Sequence, residues 1–246
     1  MHWVVHASVF SDVNLHRLLK VLERAELPYT TVSINEAGQA SPNPNPEGSV
    51  YVCGAQRAAL LSQLRGWKPG SFLNENFSVD VWQQHIPKEL LNDAAYIALM
   101  GSVTLEAPMF VRPLIDSKLF DGQLFTPNEF ESCRNQNASF ADVRVSVSPP
   151  KSILREYRLF VVAGLVVTGS LYRQGGEVAL SGDVDPEVIT YVERVIKQWS
   201  PAEAFVVDVA LTDNGYKVIE FNNINSSGFY ESDVARYVDA IERNFG

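Results

Sequence analysis

Three oxygen-bearing side chains near the C-terminus have the types and the spacing of a metal site. Glu220 and Asn222 lie two residues apart on a predicted strand, so both side chains point to the same face of a sheet. Asp208 lies on the preceding predicted strand, and the turn Asp213-Asn214-Gly215 joins the two strands into a hairpin that can bring Asp208 opposite the pair. Mg²⁺ prefers one or two carboxylates together with water and phosphate oxygens. The pattern therefore predicts a magnesium–nucleotide site.

The same residues also fit an ordinary acidic patch on an exposed hairpin, because Asp and Glu are common on solvent-facing strands. The segment that follows, Asn223-Ile-Asn225-Ser-Ser227-Gly228, favours the functional interpretation. It is polar and contains a glycine, and loops of this kind offer backbone N–H groups and hydroxyls to an anion. On the pattern alone both interpretations stay open.

The first part of the chain must supply a small α/β unit. Apolar residues in one leucine-rich segment recur at i, i+3, i+4 and i+7, which is typical of an amphipathic helix. Three prolines between Ser41 and Gly48 predict a loop. The predicted strands are Trp3–Ala7, Tyr29–Ile34 and Val50–Cys53, and the predicted helices are Asn14–Ala25, Ala55–Leu64, Val79–His85 and Pro87–Leu91.

From about residue 95 the predicted strands are longer and pair as hairpins, which indicates an α+β fold. In Asp142–Ser148, valines alternate with polar residues, and this period of two predicts a half-buried strand. The other predicted strands are Phe110–Leu114, Phe120–Phe125, Glu156–Val162, Leu165–Tyr172, Phe205–Thr212 and Tyr216–Asn222, with helices from Asp185 to Trp199 and from Ser232 to Asn244. We predict an N-terminal α/β domain over residues 1–95 and a second domain over residues 96–246.

Several segments between Ala94 and Tyr230 resemble, in the same order, those of the ATP-grasp superfamily. Asp208 with Glu220-Phe-Asn222 resembles the metal site of that family. The other matching segments are Met109-Phe-Val-Arg112-Pro, similar to the strand that normally carries a phosphate-contacting Lys-Pro; Asp116–Gly122, similar to the loop that closes over the phosphates; Asp142–Pro149, similar to the adenine-lining strand and hinge; and Glu156-Tyr-Arg158, similar to the strand after the hinge.

Arg112 in place of the usual lysine, with Lys118 nearby, resembles a phage and bacterial branch of predicted peptide or amino-acid ligases. The resemblance implies an ATP-grasp fold, in which two α+β subdomains clasp ATP, over residues 96–246, and a pre-ATP-grasp-like domain over residues 1–95. It also implies an ATP- and Mg²⁺-dependent carboxylate–amine ligase that acts through an acyl-phosphate, on an amino acid, peptide or protein substrate.

The resemblance further implies roles for individual residues. The implied metal ligands are Asp208, Glu220 and Asn222. The implied ATP-binding residues are Arg112, Lys118, Val147, Ser148, Glu156, Arg158 and Arg173, with backbone groups at Val147 and Ser148 binding adenine. Arg158 and Lys118 are the implied catalytic residues, and Asn225, Ser227 and Gly228 the implied substrate-binding residues.

Two departures from the family pattern leave other functions open. Val206 stands where many members carry an arginine, and Ser148-Pro149-Pro150 stands where an acidic residue often takes the ribose hydroxyls. A small-molecule kinase on the same fold, or a non-catalytic nucleotide-binding or interaction module, is therefore an alternative. Arg158 could also be part of a sheet-face ion pair, and Lys118 an ordinary solvated loop lysine.

Composition bounds the partners of the protein. The formal net charge is −9 and no basic run is present, which argues against nucleic acid. The two cysteines, Cys53 and Cys133, are too few for a disulfide framework or a zinc site. Neither a signal peptide nor a membrane-spanning run is visible, so we expect a soluble, cytoplasmic protein. The identity of the substrates and the oligomeric state cannot be read from the sequence.

Overall fold

A computed structural model of the chain describes residues 1–114, 120–136 and 138–246. The chain divides into two compact units: unit 1 comprises Met1–Phe77 and Ile153–Gly246, and unit 2 comprises Ser78–Ser152. The predicted boundary near residue 95 separates two fold modules in the chain order, which this division by contacts does not test. That boundary stays a prediction.

The first part of unit 1 is a mainly parallel α/β layer. Its strands are β1 (His2–His6), β2 (Tyr29–Ile34), β3 (Ala40–Ser41), β4 (Val50–Cys53) and β5 (Pro69–Gly70), and its helices are α1 (Asp12–Arg24) and α2 (Gln56–Arg65). The strand order is β3-β2-β1-β4-β5, with only β3 antiparallel to its neighbour. All four residues of β4 are buried, as expected for a strand covered on both faces of a parallel sheet. The Ser11 side chain caps α1 by accepting a hydrogen bond from the N–H of Asn14.

Unit 2 is built on an antiparallel sheet. Its elements are α3 (Val79–His85), β6 (Tyr96–Leu99), β7 (Met109–Pro113), β8 (Gln123–Phe125), α4 (Pro127–Asn135) and β9 (Arg144–Ser148), and the strand order is β6-β9-β7-β8. The segment predicted as a helix over Pro87–Leu91 forms only a 3-10 turn, Pro87–Glu89. We did not predict α4, although its start carries a capping box between Thr126 and Glu129 that the sequence displays.

The prediction that Asp142–Ser148 is half-buried is wrong. Ser146 and Ser148, on the polar side of the alternation, are 3% and 1% exposed, and Val145 and Val147 on the other side are fully buried. Strand β9 lies between β6 and β7, and both of its faces are covered. Serine is small enough to be buried on a strand, so a period of two in polarity does not by itself show which face meets water.

The second part of unit 1 is a five-stranded antiparallel sheet with two helices. Its elements are β10 (Arg155–Val162), β11 (Leu165–Gln174), β12 (Glu177–Ser181), α5 (Pro186–Ile196), β13 (Ala204–Thr212), β14 (Gly215–Asn223) and α6 (Val234–Phe245), and the strand order is β12-β11-β10-β13-β14. Ala163 and Gly164 join β10 to β11 with φ of 50° and 78°, the turn type that suits a two-residue hairpin. Asp185 caps α5, and Asp233 caps α6.

One hydrophobic core joins the two parts of unit 1. Trp3 and Tyr51 from the parallel layer pack in the same cluster as Phe160 from β10 and Tyr237 from α6. Unit 2 has a separate core around Val111, Phe125, Phe130 and Val145. Cys53 and Cys133 are both free and buried. No helix among the described residues is long and apolar enough to cross a membrane.

Candidate functional site

The three predicted metal ligands lie together on one face of the β13–β14 hairpin. Asp208 is directly opposite Glu220, and Asn222 is opposite Val206. The Asn222 amide Nδ2 donates to Glu220 Oε1 at 3.0 Å and to Asp208 Oδ2 at 3.3 Å. A register shift between Asp208 and Val209 follows this group and ends the regular pairing there. The structure thus brings the three side chains into contact, while their role as metal ligands stays a prediction.

Arg158 is the closest charged neighbour of this group on the other side. It lies on β10 directly opposite Asp208 on β13. Its Nε donates to Asp208 Oδ1 at 2.9 Å, and its Nη2 donates to Asp208 Oδ2 at 2.7 Å. The two side chains are only 14% and 3% exposed. Arg158 therefore forms a two-bond, largely buried ion pair with a predicted metal ligand, which no spacing in the sequence indicated.

Burial and charge have opposite effects on this ion pair. Burial raises the pKa of Asp208 to about 6, against the attraction of Arg158. Burial also opposes the charge on Arg158, but the charge and hydrogen bonds of Asp208 outweigh it and raise the pKa of Arg158 above its usual value. At neutral pH both groups are ionised, so the site keeps a fixed positive charge beside two carboxylates.

The donor set fits Mg²⁺ when the amide is counted as a ligand. No group of three His, Cys, Asp or Glu side chains that could hold a metal occurs within residues 1–114, 120–136 and 138–246. The predicted set has two carboxylates only, and its third oxygen is Oδ1 of Asn222. Amide orientation is assigned from hydrogen bonding, and a 180° turn of the Asn222 amide exchanges Nδ2 for Oδ1. Each carboxylate oxygen of Asp208 has a second lone-pair direction beyond the one that Arg158 uses. Two carboxylates and an amide oxygen, completed by water and phosphate, suit Mg²⁺.

Two tyrosines that our sequence analysis missed flank Arg158. The rings of Tyr172 and Tyr230 are stacked, with centroids 5.0 Å apart and planes 13° apart. The Arg158 Cζ lies 5.0 Å from the Tyr230 centroid and 6.0 Å from that of Tyr172. A guanidinium is attracted to aromatic rings at these distances. The position of Tyr172 on the strand beside Arg158 is a signal that strand alternation offers, but Tyr230 lies in a loop and no local pattern indicates it.

Glu156 and Arg173, both predicted to bind ATP, contact the protein itself. Tyr172 Oη donates to Glu156 Oε2 at 2.9 Å, and Arg173 Nη1 lies 3.6 Å from Glu156 Oε1. Burial, together with the negative charges of Asp208 and Glu156, raises the pKa of Tyr172, so its phenol stays a donor. Glu156 therefore fixes the ring that packs near Arg158, and the predicted ATP contacts of Glu156 and Arg173 stay predictions.

The loop after Asn222 is folded back on unit 1. Asn225 is fully buried; its Oδ1 accepts from the backbone N–H of Phe72 at 3.3 Å and its Nδ2 donates to Ser71 Oγ at 3.1 Å. Ser227 Oγ donates to the Asn223 carbonyl at 2.8 Å, and the Gly228 carbonyl accepts from Arg158 Nη1 at 3.4 Å. These contacts give Asn225 a structural role. The substrate contacts predicted for Asn225, Ser227 and Gly228 stay predictions.

The other predicted ATP-binding residues belong to unit 2. Arg112 lies on β7 opposite Ser146 of β9, and Val147 and Ser148 are buried near the end of β9. The Ser148 Oγ is buried and has no hydrogen-bond partner among the described residues. A buried hydroxyl of this kind is uncommon and is compatible with a polar ligand at the strand end. Lys118 and most of the loop predicted to close over the phosphates lie outside the described residues.

Comparison with known families identifies the class of protein that this fold and site define. Residues 85–240 match a family of ATP-grasp domains, the second family of its clade. The match covers well over half of the chain, and the chain belongs to this family, so the predicted membership of the ATP-grasp superfamily is confirmed. No curated protein sequence matches the chain.

Solved structures share the fold at low sequence identity. The RimK domain ATP-grasp protein from Sphaerobacter thermophilus is 12% identical with a TM-score of 0.67, covering 98% of this chain and 100% of that one. D-alanine–D-alanine ligase from Bacillus anthracis complexed with ATP is 13% identical with a TM-score of 0.68, covering 98% and 91%. The ATP-grasp ligase PsnB complexed with minimal precursor is 16% identical with a TM-score of 0.59, covering 98% of each chain. The predicted α+β ATP-grasp fold is confirmed.

Proposed function

We propose that the protein is an ATP- and Mg²⁺-dependent ligase that joins the carboxylate of an amino acid, peptide or protein to an amine. One observation carries this proposal: Asp208, Glu220 and Asn222 converge on one sheet face beside the charged guanidinium of Arg158. Membership of the ATP-grasp domain family supports it. Two of the fold neighbours described above are named as ligases, and one was solved with ATP.

The proposed reaction depends mainly on positioning and on charge. Bound ATP and Mg²⁺ supply the phosphoryl group that converts the substrate carboxylate into an acyl-phosphate with release of ADP, after which the amine displaces inorganic phosphate and loses a proton to form the amide. Asp208, Glu220 and Asn222 would hold Mg²⁺ through oxygen atoms. Arg158 provides a fixed positive charge, and such preorganised charges stabilise phosphoryl transfer without reorganisation.

The remaining assignments follow the family pattern. Arg112 and Lys118 would contact the phosphates, and the β9 backbone at Val147 and Ser148 would bind adenine. Lys118 and Arg158 are the proposed catalytic residues. Glu156 and Arg173 would act at the ATP site beside Tyr172, and the loop residues Asn225, Ser227 and Gly228 would face the substrate. An arginine at position 112 would offer a planar fork to phosphate oxygens where lysine offers a point charge.

Product analysis with paired variants tests the proposal. The protein is incubated with ATP, Mg²⁺ and a panel of amino acids and short peptides, and ADP and inorganic phosphate are measured. We expect both products in equal amounts with the right substrate pair, and a loss of at least about 100-fold in Asp208→Asn and Glu220→Gln, as for removal of a group that stabilises the transition state. Asp213→Asn, an exposed carboxylate in the turn of the same hairpin, is the matched control and should keep full activity. Wild-type turnover in Glu220→Gln would overturn the metal assignment.

The same experiment separates the alternatives. A small-molecule kinase on this fold would release ADP and a stable phosphorylated product without free phosphate. A nucleotide-binding module would show no turnover with any substrate, yet ATP with Mg²⁺ would raise its melting temperature above that in ATP with EDTA. Absence of metal-dependent stabilisation in the wild-type protein contradicts every function that uses this metal site.

A further inference from the structure

Arg17, which no sequence pattern singled out, ties helix α1 to the loop that carries Tyr230. Its Nη1 donates to the backbone carbonyl of Tyr230, and its Nη2 donates to the carbonyl of Ser232 at 2.7 Å. Arg17 is half-buried on α1. The planar guanidinium presents its donors in a fixed fork, so a single side chain fixes two carbonyls that are two residues apart.

The backbone that Arg17 holds has an uncommon conformation. Tyr230 has a φ of 47°, in the left-handed region that a bulky residue without a glycine's freedom rarely adopts. Such a conformation persists only when surrounding contacts impose it. The two hydrogen bonds from Arg17 are contacts of this kind, and the stacking of Phe10 on Phe229, with centroids 6.2 Å apart and planes 7° apart, holds the preceding residue.

This conformation places the Tyr230 ring on the guanidinium of Arg158. The ring centroid is 5.0 Å from the Arg158 Cζ, and the same ring stacks on Tyr172. Arg158 in turn donates twice to Asp208. A continuous chain of contacts therefore runs from Arg17 through Tyr230 to Arg158 and Asp208, and all four residues belong to unit 1.

We propose that Arg17 is a positioning residue of the ligase site, which through Tyr230 sets the orientation of the Arg158 guanidinium against Asp208. The inference rests on the proposed function. Arg17 has no contact with Asp208, Glu220 or Asn222 in the described hydrogen bonds and ion pairs, so it acts through Tyr230. It is also absent from the hydrophobic core cluster of unit 1, so its loss leaves that packing intact.

The first arm of the test compares Arg17→Ala with Arg24→Ala, an exposed arginine of the same helix. We expect kcat to fall at least about tenfold in Arg17→Ala with KM for ATP within about twofold, because misplacing a reacting group by 1 Å costs up to about 100-fold. Arg24→Ala should match the wild type. Millimolar guanidinium ion should restore part of the kcat of Arg17→Ala, because it can refill the vacated fork, and should not affect the wild type. Arg17→Lys should stay impaired, since an ammonium cannot span both carbonyls in the same fork geometry.

The second arm needs no substrate and no metal. The Arg158 Nε–H signal in a ¹⁵N-correlated spectrum reports its hydrogen bond to Asp208 and the nearby Tyr230 ring. We expect this signal to move toward the position of a solvated arginine in Arg17→Ala and in Tyr230→Ala, and to stay in place in Tyr230→Phe, which keeps the ring.

The outcomes distinguish the two proposals. An unshifted Arg158 signal together with unchanged kcat in folded Arg17→Ala overturns the positioning role. No turnover in the wild type with any substrate overturns the proposed function, and the Arg158 signal still decides whether Arg17 sets the guanidinium. If Arg17→Ala does not fold, Tyr230→Ala against Tyr230→Phe decides: equal kcat and equal Arg158 signals in these two variants contradict the proposal.

Discussion

The guanidinium of Arg158 and the carboxylate of Asp208 face each other across two neighbouring strands, joined by hydrogen bonds of 2.9 Å and 2.7 Å. The pair serves two purposes. It satisfies a carboxylate that is 2% exposed, and it places a fixed positive charge beside the proposed metal ligands. Because Tyr230 and Gly228 also contact this guanidinium, the pair connects the proposed site to the loop after β14.

Removing either partner of this pair should destabilise the protein strongly. We expect Arg158→Met or Asp208→Asn to lower the free energy of unfolding by about 3 kcal/mol, because each change leaves an uncompensated polar or charged group in a buried position. Urea denaturation followed by circular dichroism measures the effect. The double variant Arg158→Met with Asp208→Leu should lose much less than the sum of the two single losses, because no buried charge is left unpaired. Additive losses would contradict a direct pairing.

Replacing Asn222 by Asp should make folding more dependent on Mg²⁺. The Asn222 amide donates to both Asp208 and Glu220, and a third carboxylate there replaces two attractions with repulsion. We expect a lower melting temperature for Asn222→Asp in EDTA and a larger rise on adding Mg²⁺ than in the wild type, because a divalent cation bound to the folded state stabilises it. Asn214→Asp, in the exposed turn of the same hairpin, should show neither effect. A melting temperature of Asn222→Asp that does not respond to Mg²⁺ would count against the metal site.

Replacing Asn225 by Ala separates a structural role from substrate binding. The change leaves the buried N–H of Phe72 without its acceptor, which should cost about 2 kcal/mol of stability. If Asn225 only ties the Ser71–Phe72 segment to the loop, KM for the acyl substrate stays near the wild-type value in the folded variant. A rise in KM without loss of stability would instead support the predicted contact with substrate. Asn214→Ala is the exposed control for both measurements.

The buried cluster of Tyr51, Cys53 and Tyr237 predicts loss of stability in alkali. Burial is the main cause that raises the pKa values of the Cys53 thiol and of both phenols, whose oxygens are 2.9 Å apart. In the unfolded chain these groups ionise at about pH 8.5 and about pH 10. Their contribution to stability is therefore complete below about pH 8.5 and is lost as the pH rises, because the unfolded state releases the protons first.

The measurement is the urea midpoint between pH 8 and pH 11 in wild type and in Tyr237→Phe. The variant has one titrating group fewer, so above pH 10 its free energy of unfolding should fall less steeply by about 1.4 kcal/mol per pH unit. It should also be less stable at pH 8, since Tyr51 loses its partner. Tyr96→Phe, which removes a tyrosine that is 48% exposed, should follow the wild-type slope. Identical slopes in wild type and Tyr237→Phe would show that Tyr237 does not contribute to the alkaline loss.

Most secondary structure of unit 1 follows from local patterns. The strands Tyr29–Ile34 and Val50–Cys53 are observed with the predicted bounds, because each is a short apolar run limited by turn residues. Strand β12 was missed, since its residues alternate weakly and two of its apolar side chains, Val178 and Leu180, are exposed at 73% and 49%. An edge strand depends on the neighbour that it pairs with more than on its own pattern.

The sequence by itself determined the hairpin that carries Asp208, Glu220 and Asn222. The two strands are joined by a tight turn, so period two and a short loop place these side chains on one face without help from distant residues. Only the tertiary structure decided the partners of this group. Arg158 is fifty residues from Asp208 in the chain and meets it because β10 pairs with β13, while Tyr230 reaches Arg158 through a left-handed residue held by Arg17. Contacts between distant segments depend on how sheets assemble around a common core, and the core of unit 1 joins residues from both ends of the chain.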